Sequence, residues 1–201
     1  MKILATGFAP FGGQPINPSW EAVKALENAF VGAQISIKML PVEWKAGPEA
    51  LMEAIESYRP DCVLLCGQAG GRAKVSVERI GFNLCIAKSP DNAGEVRENE
   101  PIVPGAPDAL AATYPYAAIR SAIEAEGLPV EYSYDAGRYI CNEVLYTALE
   151  AARTAYPGMK AGFIHLPFLP GQKEGAPCME LTDQQRAVLA AVRAIAAADE
   201  E

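Results

Sequence analysis

Three residue types in this chain could combine into acyl-transfer chemistry: a cysteine (Cys141), the single histidine (His165), and a carboxylate inside an apolar strand pattern (Glu78). A thiol attacks well once a base takes its proton. Imidazole can accept and return that proton near neutral pH, and a third group is needed to orient the ring. Cys141 follows Asp135-Ala136-Gly137-Arg138-Tyr139-Ile140, where an apolar strand over 129–134 meets a small-residue turn. A helical pattern begins there and runs to Tyr156, ahead of Pro157. The thiol is thus expected in the first turns of a helix, where free N–H groups and the positive dipole end favour a thiolate. A plainer reading also fits. Cys141, Leu145, Ala148 and Ala152 share one helical face, which suits a small buried core residue. A lone histidine is most often structural, and Glu78-Arg79 can simply face solvent or bridge to neighbours.

The elements that must position these residues alternate along the chain. Strand patterns cover Lys2–Thr6, Gln34–Val42, Asp61–Cys66, one or two segments within Val75–Ala87, and Ala161–Leu166. Asp61–Cys66 is a short continuous apolar run, as expected of a strand buried on both faces. Helices are predicted from Asn17-Pro18 onward, with Val23, Leu26 and Phe30 inward, and over Gly47–Tyr58 and Tyr116–Glu126. Asn17 suits a helix N-cap and Pro18 the first helical position. Thr182-Asp183-Gln184-Gln185 reads as a capping box opening a last helix. Residues 88–113 are Pro-rich and polar, an irregular excursion long enough to cover a site. Strands alternating with helices predict one α/β domain over 1–201, with a mostly parallel sheet covered by helices on both faces. Ligands bind at the carboxyl ends of such strands. Gly7-Phe8-Ala9-Pro10-Phe11-Gly12-Gly13, Gly67-Gln68-Ala69-Gly70-Gly71-Arg72 and His165-Leu166-Pro167-Phe168-Leu169-Pro170 all sit at such ends, and the turn before Cys141 joins them.

Composition narrows the function classes. The chain has 201 residues, with 17 basic against 25 acidic side chains and a net charge of −8. A net-acidic chain without Lys/Arg runs argues against a nucleic-acid surface. No stretch approaches the roughly 18–20 apolar residues of a membrane span, and the opening apolar run is too short for a signal peptide. Five cysteines, an odd number without framework spacing, suit reduced thiols in a cytoplasmic protein. Cys62 and Cys66 lie on one side of a predicted strand and read as core residues rather than metal ligands. The first turn lacks the spacing of a dinucleotide loop and the Lys of a P-loop. Neither metal nor cofactor is expected.

Taken in order, several blocks make the chain resemble the pyroglutamyl peptidase I family of cysteine peptidases. They are Gly7-Phe8, Asn17-Pro18-Ser19-Trp20, Gly67 to Arg72, Glu78-Arg79, Asn83, Pro90-Asp91-Asn92, Ala136-Gly137, Cys141-Asn142, and His165 with Pro167-Phe168-Leu169-Pro170. The resemblance spans residues 1 to about 172. It implies removal of an N-terminal pyroglutamate from peptides by a Cys-His-Glu triad: Cys141 as nucleophile, His165 as base and then acid, Glu78 as orienter. It also implies that Phe8 and Phe11 flank the lactam ring, with Tyr139 and Ile140 nearby. The Asn17 side chain and the Gln68 backbone would bond the lactam amide. The resemblance further implies a three-layer α/β/α sandwich around a twisted, mostly parallel sheet and a homotetramer or homodimer, with no metal or organic cofactor. Where the family carries an acidic pair and an Arg close to the reacting carbonyl, this chain has Cys85-Ile86-Ala87-Lys88-Ser89. Lys88 keeps the charge without the planar fork of donors. Asp135 and Arg138 are expected to oppose each other's effect on the thiol. A different thiol amidase on the same scaffold, or a weakly active homologue that binds capped peptides, are the competing readings.

Overall fold

The apolar run at 61–66 becomes the middle of a sheet because both of its faces are covered. The computed structural model describes residues 1–27, 29 and 32–198. Its strands are β1 (Lys2–Phe8), β2 (Gln34–Leu40), β3 (Cys62–Gln68), β4 (Val75–Glu78), β5 (Ile80–Phe82), β6 (Ala109–Ala111), β7 (Val130–Ser133) and β8 (Lys160–Leu166). The helices are α1 (Pro18–Lys24), α2 (Ala46–Tyr58), α3 (Tyr116–Ala125), α4 (Ile140–Thr154) and α5 (Leu181–Ala197). The main sheet has the order β2-β1-β3-β8-β4-β7, and β5 pairs with β6 in a small second sheet.

Alternation along β3 sorts two cores. Cys62, Leu64 and Cys66 face one that includes Val23 of α1, Ile119 and Ile123 of α3, and Val188 and Val192 of α5. Val63 and Leu65 face the other, with Leu51 and Ile55 of α2 and Val144 and Leu145 of α4. The result is the expected three-layer α/β/α arrangement, with the period-2 pattern of each inner strand setting which helix layer each side chain meets. The expected pairing of Cys62 with Cys66 on one buried face is present. Among the described residues, no helix is long and apolar enough to cross a membrane.

Several elements differ from expectation. The sheet is parallel from β2 through β8, but β4 pairs antiparallel with β8, and β7 follows β4. The carboxyl ends of β4 and β7 therefore do not lie on the edge where β1, β3 and β8 end. The turn before Cys141 has to travel back along the sheet face to reach that edge. The last helix starts at Leu181 with Glu180 as its cap and no side-chain capping bond. Thr182 is therefore not the cap that the capping-box pattern predicted. Gln184 is instead drawn inside, donating to the carbonyls of Pro167 and Met179, which pulls the preceding residues into the helix. Helix α1 stops at Lys24, so Leu26 packs from the turn beyond it, and Phe30 lies outside the described residues. The 88–113 excursion is tied down. Asn83 bonds Val103 and Ala106, Cys85 bridges to Glu100, and Asn92 reaches the Pro10 carbonyl.

One contact locks β4 against β8. The Tyr114 hydroxyl donates toward the carbonyls of Glu78 and Phe163 at 3.0 and 2.8 Å, and its ring lies flat on Gly162, where a Cβ would overlap it. Gly162→Ala is therefore expected to lower unfolding free energy by about 1–3 kcal/mol, the scale of an overpacked core, as read by urea denaturation. An unchanged midpoint and slope would refute this account of Gly162.

Candidate active site

Strands β1, β3 and β8 deliver three turns to one edge of the sheet, and a cavity of about 320 Å³ opens among them. Phe8 ends β1 and Phe11 lies in the turn beyond it, Gln68 ends β3 with Ala69, Gly70 and Arg72 in the turn that follows, and His165 comes from the end of β8. Helix α4 closes the cavity with Tyr139, Ile140 and Cys141. All three expected catalytic residues thus converge, although Glu78 arrives on the antiparallel strand.

Glu78 is fully buried, and His165 is 3% exposed. Glu78 pairs across the sheet with Phe163 and Ser76 with His165, so Glu78 and His165 lie diagonally on one face. The Nδ1 atom of His165 and Oε1 of Glu78 are 2.7 Å apart. Arg72 donates to the same oxygen at 2.7 Å and to the Asp135 carbonyl at 2.8 Å. Burial works against ionisation of Glu78. The hydrogen bond and charge of His165, with bonds from Ser133 and Arg72, outweigh it and hold the carboxyl below its ordinary value. With the carboxylate on Nδ1, the other ring nitrogen, Nε2, is left for chemistry. Phe163 packs on the imidazole with ring centroids 4.5 Å apart.

Cys141 is the second residue of α4, and its sulfur lies over β3. A Cβ placed on Gly67 would stand 3.1 Å from Cys141 Sγ and 2.6 Å from the Phe163 ring. Gly67 is in register with His165, so the glycine makes room for thiol and imidazole side by side. The electrostatics depart from the sequence expectation. Burial, reinforced by the Glu78 charge, pushes the Cys141 thiol up to about 12, against the opposing pull of its own backbone N–H and Arg72. The helix terminus acts in the expected direction, but desolvation is larger. Asp135 and Arg138 do not set this balance. They pair with each other at 2.6 Å, and Arg138 lies over the Phe82 ring at 3.8 Å.

The other expected residues distribute as follows. Phe8 is buried and Phe11 half-buried on the cavity wall, and Gln68 sits at the end of β3. Tyr139 donates to the Pro90 carbonyl at 3.1 Å and meets Trp44 edge-on, and Ile140 is buried. Asn17 is both a cap and a lining residue. Its Oδ1 accepts from the Ser19 N–H and hydroxyl, and Nδ2 donates to the Ala9 carbonyl, which leaves one amide hydrogen uncommitted. Lys88 lines a second cavity that shares Phe11 and Tyr139 with the first. Arg79, beside Glu78 in sequence, points to the other face and stacks on Tyr116 at 3.3 Å.

Sequence reasoning assigned no role to Arg72, Gly67 or Asn142. The signal for Arg72 was present: a cation six residues from a carboxylate in an apolar strand. Asn142 is fully buried and grips β5, accepting from the Phe82 N–H and donating to the carbonyls of Phe82 and Leu84. It anchors the start of α4, and with it Cys141. Among the described residues, no group of three or more His, Cys, Asp or Glu is placed to hold a metal.

The family model described as pyroglutamyl peptidase matches residues 1–198. The pyrrolidone-carboxylate peptidase of Levilactobacillus brevis is 44% identical over 198 residues, covering 97% of each chain. That of Thermococcus kodakarensis is 48% identical over 168 residues, 84% of this chain and 82% of its own. Among solved structures, pyroglutamyl peptidase I of Bacillus amyloliquefaciens superposes with a TM-score of 0.95 at 38% identity, covering 98% of this chain and 97% of its own.

The raised thiol has a direct consequence. Thiolate is the alkylated species, so without substrate the rate of Cys141 modification by iodoacetamide should climb about tenfold per pH unit between roughly pH 6 and 9. Peptide mass mapping of Cys141 follows it against the other cysteines. A plateau reached below pH 8 would mean that a thiolate already exists and that burial does not govern this sulfur.

Proposed function

The chain belongs to the pyroglutamyl peptidase family and is a cysteine peptidase, and from that premise we propose that Cys141 is its nucleophile, His165 its base and then acid, and Glu78 the orienter of the imidazole. The observation that carries this is the 2.7 Å contact of His165 with a buried carboxylate, on the wall of the cavity that Cys141 also lines. The substrate is a peptide with an N-terminal pyroglutamate. A small, flat, neutral lactam suits a cavity walled by Phe8, Phe11, Val42, Tyr139 and Ile140. The free amide hydrogen of Asn17 and the Gln68 backbone supply fixed hydrogen bonds to it, and the cap bonds already hold the Asn17 side chain rigid.

The reaction begins with a neutral thiol, given its raised pKa. As sulfur attacks the carbonyl joining pyroglutamate to the next residue, the thiol proton passes to His165. Glu78, held ionised by its bonds to His165, Ser133 and Arg72, stabilises the imidazolium that forms. Backbone N–H groups at the start of α4, which has no side-chain cap, stabilise the oxyanion. The C–N bond breaks as His165 returns its proton to the leaving amine, producing a thioester. Water, deprotonated by His165, then releases pyroglutamate and restores the thiol.

The remaining readings are coarser. One domain over 1–201 is supported by two cores that share a single main sheet. A cytoplasmic setting fits the odd cysteine count. A homotetramer or homodimer fits the exposed apolar side chains of Ile16, Met39 and Tyr134.

The purified protein is expected to release aminomethylcoumarin from its pyroglutamyl amide, with no release above background by Cys141→Ala. Glu78→Gln should lower kcat by about 10²–10⁴, the scale of a misoriented base, with KM little changed. Undiminished release by Cys141→Ala would overturn the assignment.

A further inference from the structure

The cavity that Cys141 lines shares a wall, Phe11 and Tyr139, with a second one of about 580 Å³, lined by the 86–92 segment and Arg138. If the lactam fills the first cavity, the leaving amine emerges beside the shared wall. The side chain that follows pyroglutamate then has the second cavity open to it.

The charges of that cavity do not cancel toward its interior. Asp91 is its acidic member, and it is 8% exposed. Its Oδ2 accepts from the Trp44 N–H, and its Oδ1 from the N–H groups of Ala93 and Glu95. That carboxylate is spent on the backbone. Arg138 is engaged by Asp135 at 2.6 Å, and Arg97 by Glu95 and Glu100. Lys88 is exposed and, among the described residues, has no ion pair. Beside it stand apolar Ile86 and the rings of Phe11 and Tyr139. An ammonium above an apolar wall favours a side chain with a short hydrocarbon stem and an anionic end.

We infer that the second cavity receives the residue following pyroglutamate, and that Lys88 makes it select an acidic side chain there. This rests on the pyroglutamyl peptidase reading. The selection acts against the field of the whole molecule, whose net charge is −8, so the two contributions respond oppositely to salt. Screening weakens a local Lys88 attraction, but it relieves long-range repulsion.

The test compares kcat/KM for pyroglutamyl-glutamic amide, pyroglutamyl-glutamine amide and pyroglutamyl-lysine amide by chromatography of the released amino-acid amides. Glu should exceed Gln by about two- to fivefold, the scale of one exposed, partly screened ion pair, and Lys should be poorest. The Glu/Gln ratio should fall toward one in 0.5 M salt (about a 4 Å screening length) and in Lys88→Gln, and Lys88→Glu should reverse the order. Both variants are scored by this ratio, so a change in overall rate does not confound it. A wild-type ratio at or below one, or one that persists in Lys88→Gln, overturns the inference while release of aminomethylcoumarin keeps the peptidase reading intact. Failure to cleave any pyroglutamyl substrate overturns both.

Discussion

Glu78 carries a carboxylate at a position without solvent contact, and much of the surrounding architecture answers to that charge. An unpaired buried carboxylate would cost several kcal/mol. Here the imidazole of His165 and the guanidinium of Arg72 converge on one oxygen. Their geometry demands an antiparallel β4 beside β8, so that the two side chains sit diagonally on one face. It also demands that the turn after β3 fold back to present Arg72. Tyr114 then secures the same junction by bonding the carbonyls on both strands. A polar cluster of this kind is expensive to assemble and rigid once complete, which suits the orienting role proposed for Glu78.

The thiol is placed by different means. Asn142 fixes the first turn of α4 to β5, while Gly67 removes the side chain that would otherwise fill the space between sulfur and sheet. The result is a thiol pushed up by burial on the wall of the cavity that His165 also lines. Under the mechanism proposed above, its reactivity depends on proton removal during attack rather than on a standing anion. Excluding water strengthens the bonds made to developing charge, at the expense of the ground-state thiolate. Desolvation opposes the helix terminus here because the sulfur is packed against Gly67 of the sheet.

The excursion after β5 adds a second level of organisation. Asp91 stitches it to Trp44, and Asn92 to Pro10. An irregular segment is thereby held against the turn that follows β1. Its contribution is a wall: it shapes the second cavity, beside the one that Cys141 lines, and places Lys88 on its lining.

Local patterns in the chain determined much of this. Period-2 alternation marked the inner strands, the small-residue turn marked the start of the helix bearing Cys141, and Asn17-Pro18 marked a cap whose bonds are present. These features depend on neighbours a few residues apart, and short-range sterics decide them. What lay beyond sequence reach depends on distance in the chain. Glu78 and His165 are 87 residues apart, and Arg72 reaches Asp135 across 63. No local period reports that β4 and β7 reverse direction, because a buried strand has the same composition whichever way it runs. Nor does the position of Cys141 near a helix start reveal its proton affinity. That is set by how much of the sulfur the folded chain hides from water, and only the packing of α4 over Gly67 and Phe163 decides it.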